Sequence, residues 1–242
     1  MDLDALLRCV GTTSCVVTQL TSGMIIGMLL FLIASGVTLI FGVLNVINFA
    51  HGSLYMIGAY AAWTFYQITN SYFVSALGAA VAVGVLGILF ERVLMSKVYG
   101  SNVLMQLLVC YAVVLISDDL VKIIWGPVPL SMGMPPEFRL PPIRFMGGVI
   151  PPFYLFMIIA AMAIGLLLWL VIVRTRFGSI VRAAAINGPM VSALGIRVNL
   201  YYAAVFGIGS ALAGAAGALA APVRSLTPGM GFSILIESFI VT

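Results

Sequence analysis

Apolar positions along this chain come in long unbroken runs. They show neither the alternation of a half-buried strand nor the one-sided stripe of a water-facing helix. Runs of about 20 apolar residues cross a bilayer as a helix, and such runs fall at 24–47, 50–68, 73–90, 103–125, 153–173 and 200–221. A seventh begins near Gly231 and meets Thr242 in mid-course, so further C-terminal sequence is expected. The pattern predicts an all-α integral membrane protein: a polytopic helical bundle with about seven spans present, the last incomplete, in a single transmembrane domain over 1–242.

Two long segments punctuate the runs. Between 126 and 152 stand Pro127, Pro129, Pro135, Pro136, Pro141, Pro142, Pro151 and Pro152, most of the 11 prolines. Proline lacks the amide hydrogen and drives its predecessor out of the helical region, so this loop is predicted as an ordered, irregular cap outside the hydrocarbon. The segment 174–199, RTRFGSIVRAAAINGPMVSALGIRVN, carries Arg174, Arg176, Arg182 and Arg197 and no acid. A shorter basic stretch, ERVLMSK, adds Arg92 and Lys97. Basic residues beside span ends favour the cytoplasm. Placing both basic segments there leaves an even number of spans between them, with the proline-rich loop on the extracytoplasmic side and the N-terminus outside.

Inside 174–199, residues 179–186 suit a short helix that Asn187-Gly188 ends. Pro189 suits the first turn of a second short helix, and Gly195 its end, with Val191 and Leu194 on one side. This hairpin is either an ordinary amphipathic loop or a rigid lever that docks into a partner.

Composition agrees with the pattern. The 242 residues are 63% hydrophobic and 7% charged, where soluble domains carry about a quarter charged residues. Between Arg8 and Glu91 there is no Asp, Glu, Lys or Arg. The net charge of +4 sits in loops and reads as membrane topology, not nucleic-acid binding. Cys9, Cys15 and Cys110 lack metal-ligand spacing and read as small hydrophobes, with a Cys9–Cys15 bridge as the alternative. No small-residue cleavage pattern follows a basic start, so no removable signal peptide is expected. The chain has no G-x-x-x-x-G-K-[ST], no H-E-x-x-H, no Cys/His cluster and no Ser/His/Asp set. An enzyme active site, a cofactor and a metal centre are therefore not expected.

Three polar or small-residue features remain. Asn45, Asn48, His51 and Ser53 fall between two spans separated by almost nothing. Polar groups at membrane depth are tolerated only against protein or a wet cavity. The stretch is either a tight turn with His51 bonded to a carbonyl, or a helix break lining a translocation path. Asp118 and Lys122 have the spacing of a helical ion pair, and with Asp119 they form either a structural cluster at the outer interface or a cation relay. Ser210, Gly214 and Ala218, and again Ala213, Gly217 and Ala221, recur every four residues, which suits close helix packing in lipid.

GVTLIFGVLNVINFAHGSLYMIGAY (36–60) closely resembles the first signature of the branched-chain amino acid ABC transporter permeases, of the smaller permease type. ERVLMSKVYGSNVLMQLL is similar to the next stretch of that family. RTRFGSIVRAAAINGPMVSALGIRVNLYYAAVFGIGSALAGAAGAL resembles its cytoplasmic coupling loop and following span, and LTPGMGFSILIESFIVT the start of a further helix. The resemblance implies an ABC importer permease that works with a second permease subunit, two ATP-binding subunits and an extracytoplasmic solute-binding protein in the inner membrane of a bacterium. It implies coupling to the ATPase through Arg182, Ala184, Asn187, Gly188 and Gly195, and a solute path past Asn45, Asn48, His51 and Ser53. It leaves the solute open among branched-chain amino acids, urea, short amides and aromatic compounds. The chain departs from the family at Asn187-Gly188, where an acid is common, and at Asp118-Asp119, where a Gln-Asn pair is common. A channel or ion-coupled transporter acting without ATPases is the competing class, with Asp118 and Asp119 as its only coupling candidates.

Overall fold

The computed structural model describes residues 12–139, 141–145 and 148–241. Eight helices carry most of it: α1 Thr13–Leu44, α2 His51–Thr69, α3 Tyr72–Phe90, α4 Val103–Trp125, α5 Pro152–Arg174, α6 Arg176–Ala193, α7 Val198–Ala220 and α8 Met230–Val241. Helix α3 runs on through a π-helical turn at Glu91–Met95 to Val98. The seven apolar runs thus all become helices. Four of them are long and apolar enough to cross a membrane: α1, α3 with its extension, α5 and α7.

The other three apolar helices, α2, α4 and α8, fall short of that measure. Helix α2 has the length, but His51, Ser53, Thr64 and four tyrosine or tryptophan residues lower its apolarity, and most of its first turns are buried against protein. Helix α4 carries Asp118, Asp119 and Lys122 in its last turns, and α8 has only 12 described residues. At about 1.5 Å per residue α1 is roughly 48 Å long, more than a hydrocarbon core of about 30 Å, so its 32 residues run beyond or tilt through it.

Helix α7 is the hub, packing on α1, α2 and α3. Small residues make this possible, as their spacing predicts. A Cβ at Gly58 of α2 would lie 2.5 Å from Gly214 Cα, and one at Gly36 of α1 would lie 2.8 Å from the Gly209 carbonyl oxygen. Ser210, Gly214, Ala218, Ala213, Gly217 and Ala221 are all buried. Lipid supplies no hydrophobic drive between helices, so such backbone contact, with its dispersion energy, holds the bundle together. Helices α4 and α5 sit outside this core and present Leu104, Leu108, Ile123, Leu166, Leu167 and Trp169 outward.

The proline-rich loop is ordered, as expected, and it contains a small antiparallel hairpin, Ile143–Phe145 with Gly148–Ile150, that the proline count did not suggest. A 3-10 turn at Pro136–Phe138 sets Phe138 among Tyr72, Phe153 and Phe156. Glu137 Oε1 accepts the Tyr72 amide at 3.2 Å, near the start of α3. Leu130 and Leu226 exchange backbone hydrogen bonds of 2.9 and 2.8 Å. The loop is therefore clamped to the start of α3, the start of α5 and the segment after α7.

Two local expectations change. The ion pair is Lys122 with Asp119 at 3.0 Å, one step from the predicted Asp118, and both partners are largely exposed. Such pairs contribute little. Cys15 is disulfide-bonded, not a bare small hydrophobe, while Cys110 is free and buried. Cys9, and the Cys9–Cys15 pairing with it, lies outside the described residues.

Candidate functional site

Helix α1 ends at Leu44 with Asn45 in the left-handed region (φ 52), its amide donating to the Phe41 carbonyl at 2.9 Å. Asparagine tolerates this conformation better than other non-glycine residues. Asn45 is exposed and does the work of a turn. The chain then doubles back through 46–50, and Asn48 Oδ1 accepts the Ala50 amide at 3.0 Å, which nucleates the first turn of α2 at His51.

This start lies deep in the bundle. A Cβ at Gly36 would be 2.9 Å from His51 Nε2 and 2.8 Å from the Gly209 carbonyl, and Gly209 is the central residue of α7. The imidazole thus occupies a slot between mid-α1 and mid-α7. A Cβ at Gly231 would lie 2.7 Å from the Gly52 carbonyl oxygen and 3.1 Å from the Ser53 amide nitrogen, so α8 presses on the same turn.

Asn48, His51 and Ser53 are buried to 2%, 0% and 2% exposure. Asn48 Nδ2, both His51 ring nitrogens and Ser53 Oγ reach no partner at hydrogen-bond distance; His51 has only a looser contact with the Ile33 carbonyl. Buried polar atoms are nearly always paired, and each left open costs about 1–3 kcal/mol. Four such atoms fall between Asn48 and Ser53. Of the four residues read from sequence, three are gathered here and Asn45 stands apart.

Sequence reasoning missed Tyr60. Its hydroxyl is also buried without a partner, seven residues beyond Ser53 and so on the same side of α2. That spacing was visible in the sequence. Its ring packs on Trp125 at 5.3 Å, and Trp125 donates Nε1–H to Thr64 Oγ1 at 2.8 Å.

The second site is α6. Helical geometry breaks at Asn187 (φ −152°, ψ 84°), giving two short helices as predicted. Asn187 Oδ1 accepts the Met190 amide at 3.0 Å, capping the second helix, with Pro189 in its first turn. Gly195 has φ 83°, and it follows the end of that helix. Arg182 Nη1 donates to the Ile172 carbonyl near the end of α5, tying the hairpin back to a spanning helix. Ala184 is buried, and its carbonyl faces the Tyr202 hydroxyl at 3.4 Å. A side chain at Gly188 would strike that hydroxyl at 2.6 Å. Val191 is buried, but Leu194 is 74% exposed, so the two do not share a covered side. Instead Ile186, Met190 and Leu194 form an exposed apolar row, with Ile186 at 88%.

Comparison with known proteins decides the family. Residues 19–242 match the family described as branched-chain amino acid transport system / permease component. The chain belongs to that family. BraD, a high-affinity branched-chain amino acid transport system permease protein of Pseudomonas aeruginosa, is 31% identical over 233 residues, covering 91% of this chain and 76% of that protein. LivH of Salmonella typhimurium and LivH of Escherichia coli, permease proteins of systems with the same description, are each 29% identical over 236 residues with the same coverage. No solved structure matches. As a member of this permease family the chain is a multi-pass membrane transport subunit and not an enzyme.

Proposed function

We propose that this chain is one permease subunit of an ATP-binding cassette importer that moves branched-chain amino acids, or a related small polar solute, across the inner membrane of a bacterium. A second permease subunit completes the path, two ATP-binding subunits drive it, and an extracytoplasmic solute-binding protein loads it. The family match over 19–242 carries this reading, and the names of BraD and LivH support the solute class.

The geometry fits each part. The turn at Asn48, His51 and Ser53 offers open donors and acceptors at mid-depth, where a polar solute needs them. Asn45 contributes the reversal that puts them there. The kinked hairpin offers an apolar row, Ile186, Met190 and Leu194, for an ATPase to grip, while Arg182, Ala184, Asn187, Gly188 and Gly195 fix its shape. Arg92 and Arg197 line one cleft, so both basic segments lie at the same end of the molecule. That supports a cytoplasmic 174–199 and an extracytoplasmic 126–152, with 1–242 as one transmembrane domain of up to seven crossings. Self-sufficient ion coupling is not favoured, since Asp119 is exposed and already paired with Lys122.

In this account ATP closes the ATPases, the hairpin follows, and the helices rock around the central path. Arg182→Glu tests it. The substitution cuts the tie to Ile172 and sets a carboxylate against the negative end of α5. The importer should keep hydrolysing ATP while solute uptake falls by about tenfold or more. Normal uptake by that variant would rule out a lever role for the hairpin.

A further inference from the structure

The first turn of α2 lacks partners in its backbone as well as in its side chains. His51 donates its amide to the Asn48 carbonyl at 3.3 Å, and Leu54 donates to that of Ala50 at 3.1 Å. Between them, the Gly52 and Ser53 amides meet no acceptor among the described residues. A helix start leaves such N–H groups pointing along its axis, backed by the positive end of the helix dipole. Water usually answers them, but Gly52 and Ser53 are buried. Two side chains stand at the same mouth. Asn48 Oδ1 takes the Ala50 amide, and Nδ2, on the same planar amide group, is buried and open, as is Ser53 Oγ. His51 is not counted with these donors, since its ring faces the Ile33 carbonyl and Gly36.

A second helix starts beside the first. Gly231, buried in the first turn of α8, also has an amide without an acceptor among the described residues, and it packs against the Gly52 carbonyl and the Ser53 amide. Charged groups stand further out. Asp118 of α4 approaches the Gly229 amide, ahead of α8, while Arg224 and Glu237 act on Tyr55 with opposite signs. The turn itself, 45–55, carries no charged residue. Buried donors without a resident acceptor, gathered where two helices start, suit an anion. We propose that the mouth of α2 seats the carboxylate of the transported solute, held by the Gly52 and Ser53 amides, the Ser53 hydroxyl and Asn48 Nδ2, with the start of α8 facing it. The path then selects carboxylates over urea and amides, which bring no negative charge. The proposal deepens the import reading and rests on it for placing the solute path at this turn. In this structure Gly231 closes the mouth, so the solute reaches its seat as α8 moves off.

The test is equilibrium binding of radiolabelled L-leucine to the importer complex in nanodiscs, without solute-binding protein, both nucleotide-free and with a non-hydrolysable ATP analogue. The expected result is saturable binding in at least one state. 4-Methylpentanoate, which keeps the carboxylate and lacks the ammonium, should compete; L-leucinamide and isopentylamine, which lack the carboxylate, should fail. Ser53→Ala should weaken binding by about tenfold. Asn48→Asp keeps the cap on the Ala50 amide but turns the open donor into a resident carboxylate, and it should abolish binding. Ser53→Ala only removes a buried hydroxyl that has no partner, so its result stands even where Asn48→Asp fails to fold. Competition by L-leucinamide equal to that of 4-methylpentanoate overturns the proposal. So does leucine binding that neither variant changes, or no saturable binding in either state. Uptake by the same complex with binding protein is scored separately: uptake without the carboxylate preference sinks this proposal alone, and no uptake speaks against the import reading.

Discussion

At the level of single residues the proposed solute path rests first on His51. An imidazole that is 0% exposed, with no closer partner than a loose contact to the Ile33 carbonyl, lowers stability. Replacing it with leucine removes that cost at similar volume. His51→Leu should therefore leave thermal stability in detergent unchanged or higher, while uptake falls by about tenfold or more. A fall in both together would mean the ring is merely structural. Gly58 makes the opposite case. An added methyl there meets Gly214 Cα at 2.5 Å, which is backbone and cannot step aside, so Gly58→Ala should destabilise by about 1–3 kcal/mol, read as a lowered Tm. The polar cluster was legible from sequence because polar residues in a charge-free apolar stretch need a reason. Which of them would be buried was not legible. Asn45 and Asn48 look alike in sequence, and only the reversal between Leu44 and His51 sends one outward and the other into the core. Glu91 was read only as part of a basic stretch, because its burial depends on the π-turn and on Tyr99, both set by packing.

Among the elements, the hairpin follows most directly from local chemistry. Asn, Gly and Pro in sequence break and restart a helix wherever they stand, so the kink at Asn187 was readable. Asn187→Ala removes the acceptor for the Met190 amide and should cost about 1 kcal/mol of local stability. Faster amide hydrogen exchange over 188–193, with the spanning helices unaffected, would check it; unchanged exchange would show that the cap is dispensable. The helices themselves matched the apolar runs closely, since length and apolarity determine a membrane helix with little tertiary help. Which of them are apolar enough to cross by themselves was less legible. Helix α2 looked like another span, but its polar face is answered by α7, α8 and α1, contacts that no local pattern encodes. The small β-hairpin inside the proline-rich loop escaped notice for the same reason, since its second strand packs on α1.

At the scale of the whole molecule, a central small-residue helix holds three others by backbone contact, and the turn between α1 and α2 brings unpaired polar groups beside it. Among the described residues the ion pair found, Lys122 with Asp119, is exposed, and the kinked hairpin at one end is tied to the end of α5. In the function proposed above, the chain gates a path that other subunits power. Reconstitution into liposomes measures this most directly, comparing radiolabelled leucine entry through this chain alone with entry through the complete importer supplied with binding protein and ATP. The account predicts no entry through the chain alone and ATP-dependent accumulation by the complex. Leucine movement through the chain alone, in either direction, would contradict it.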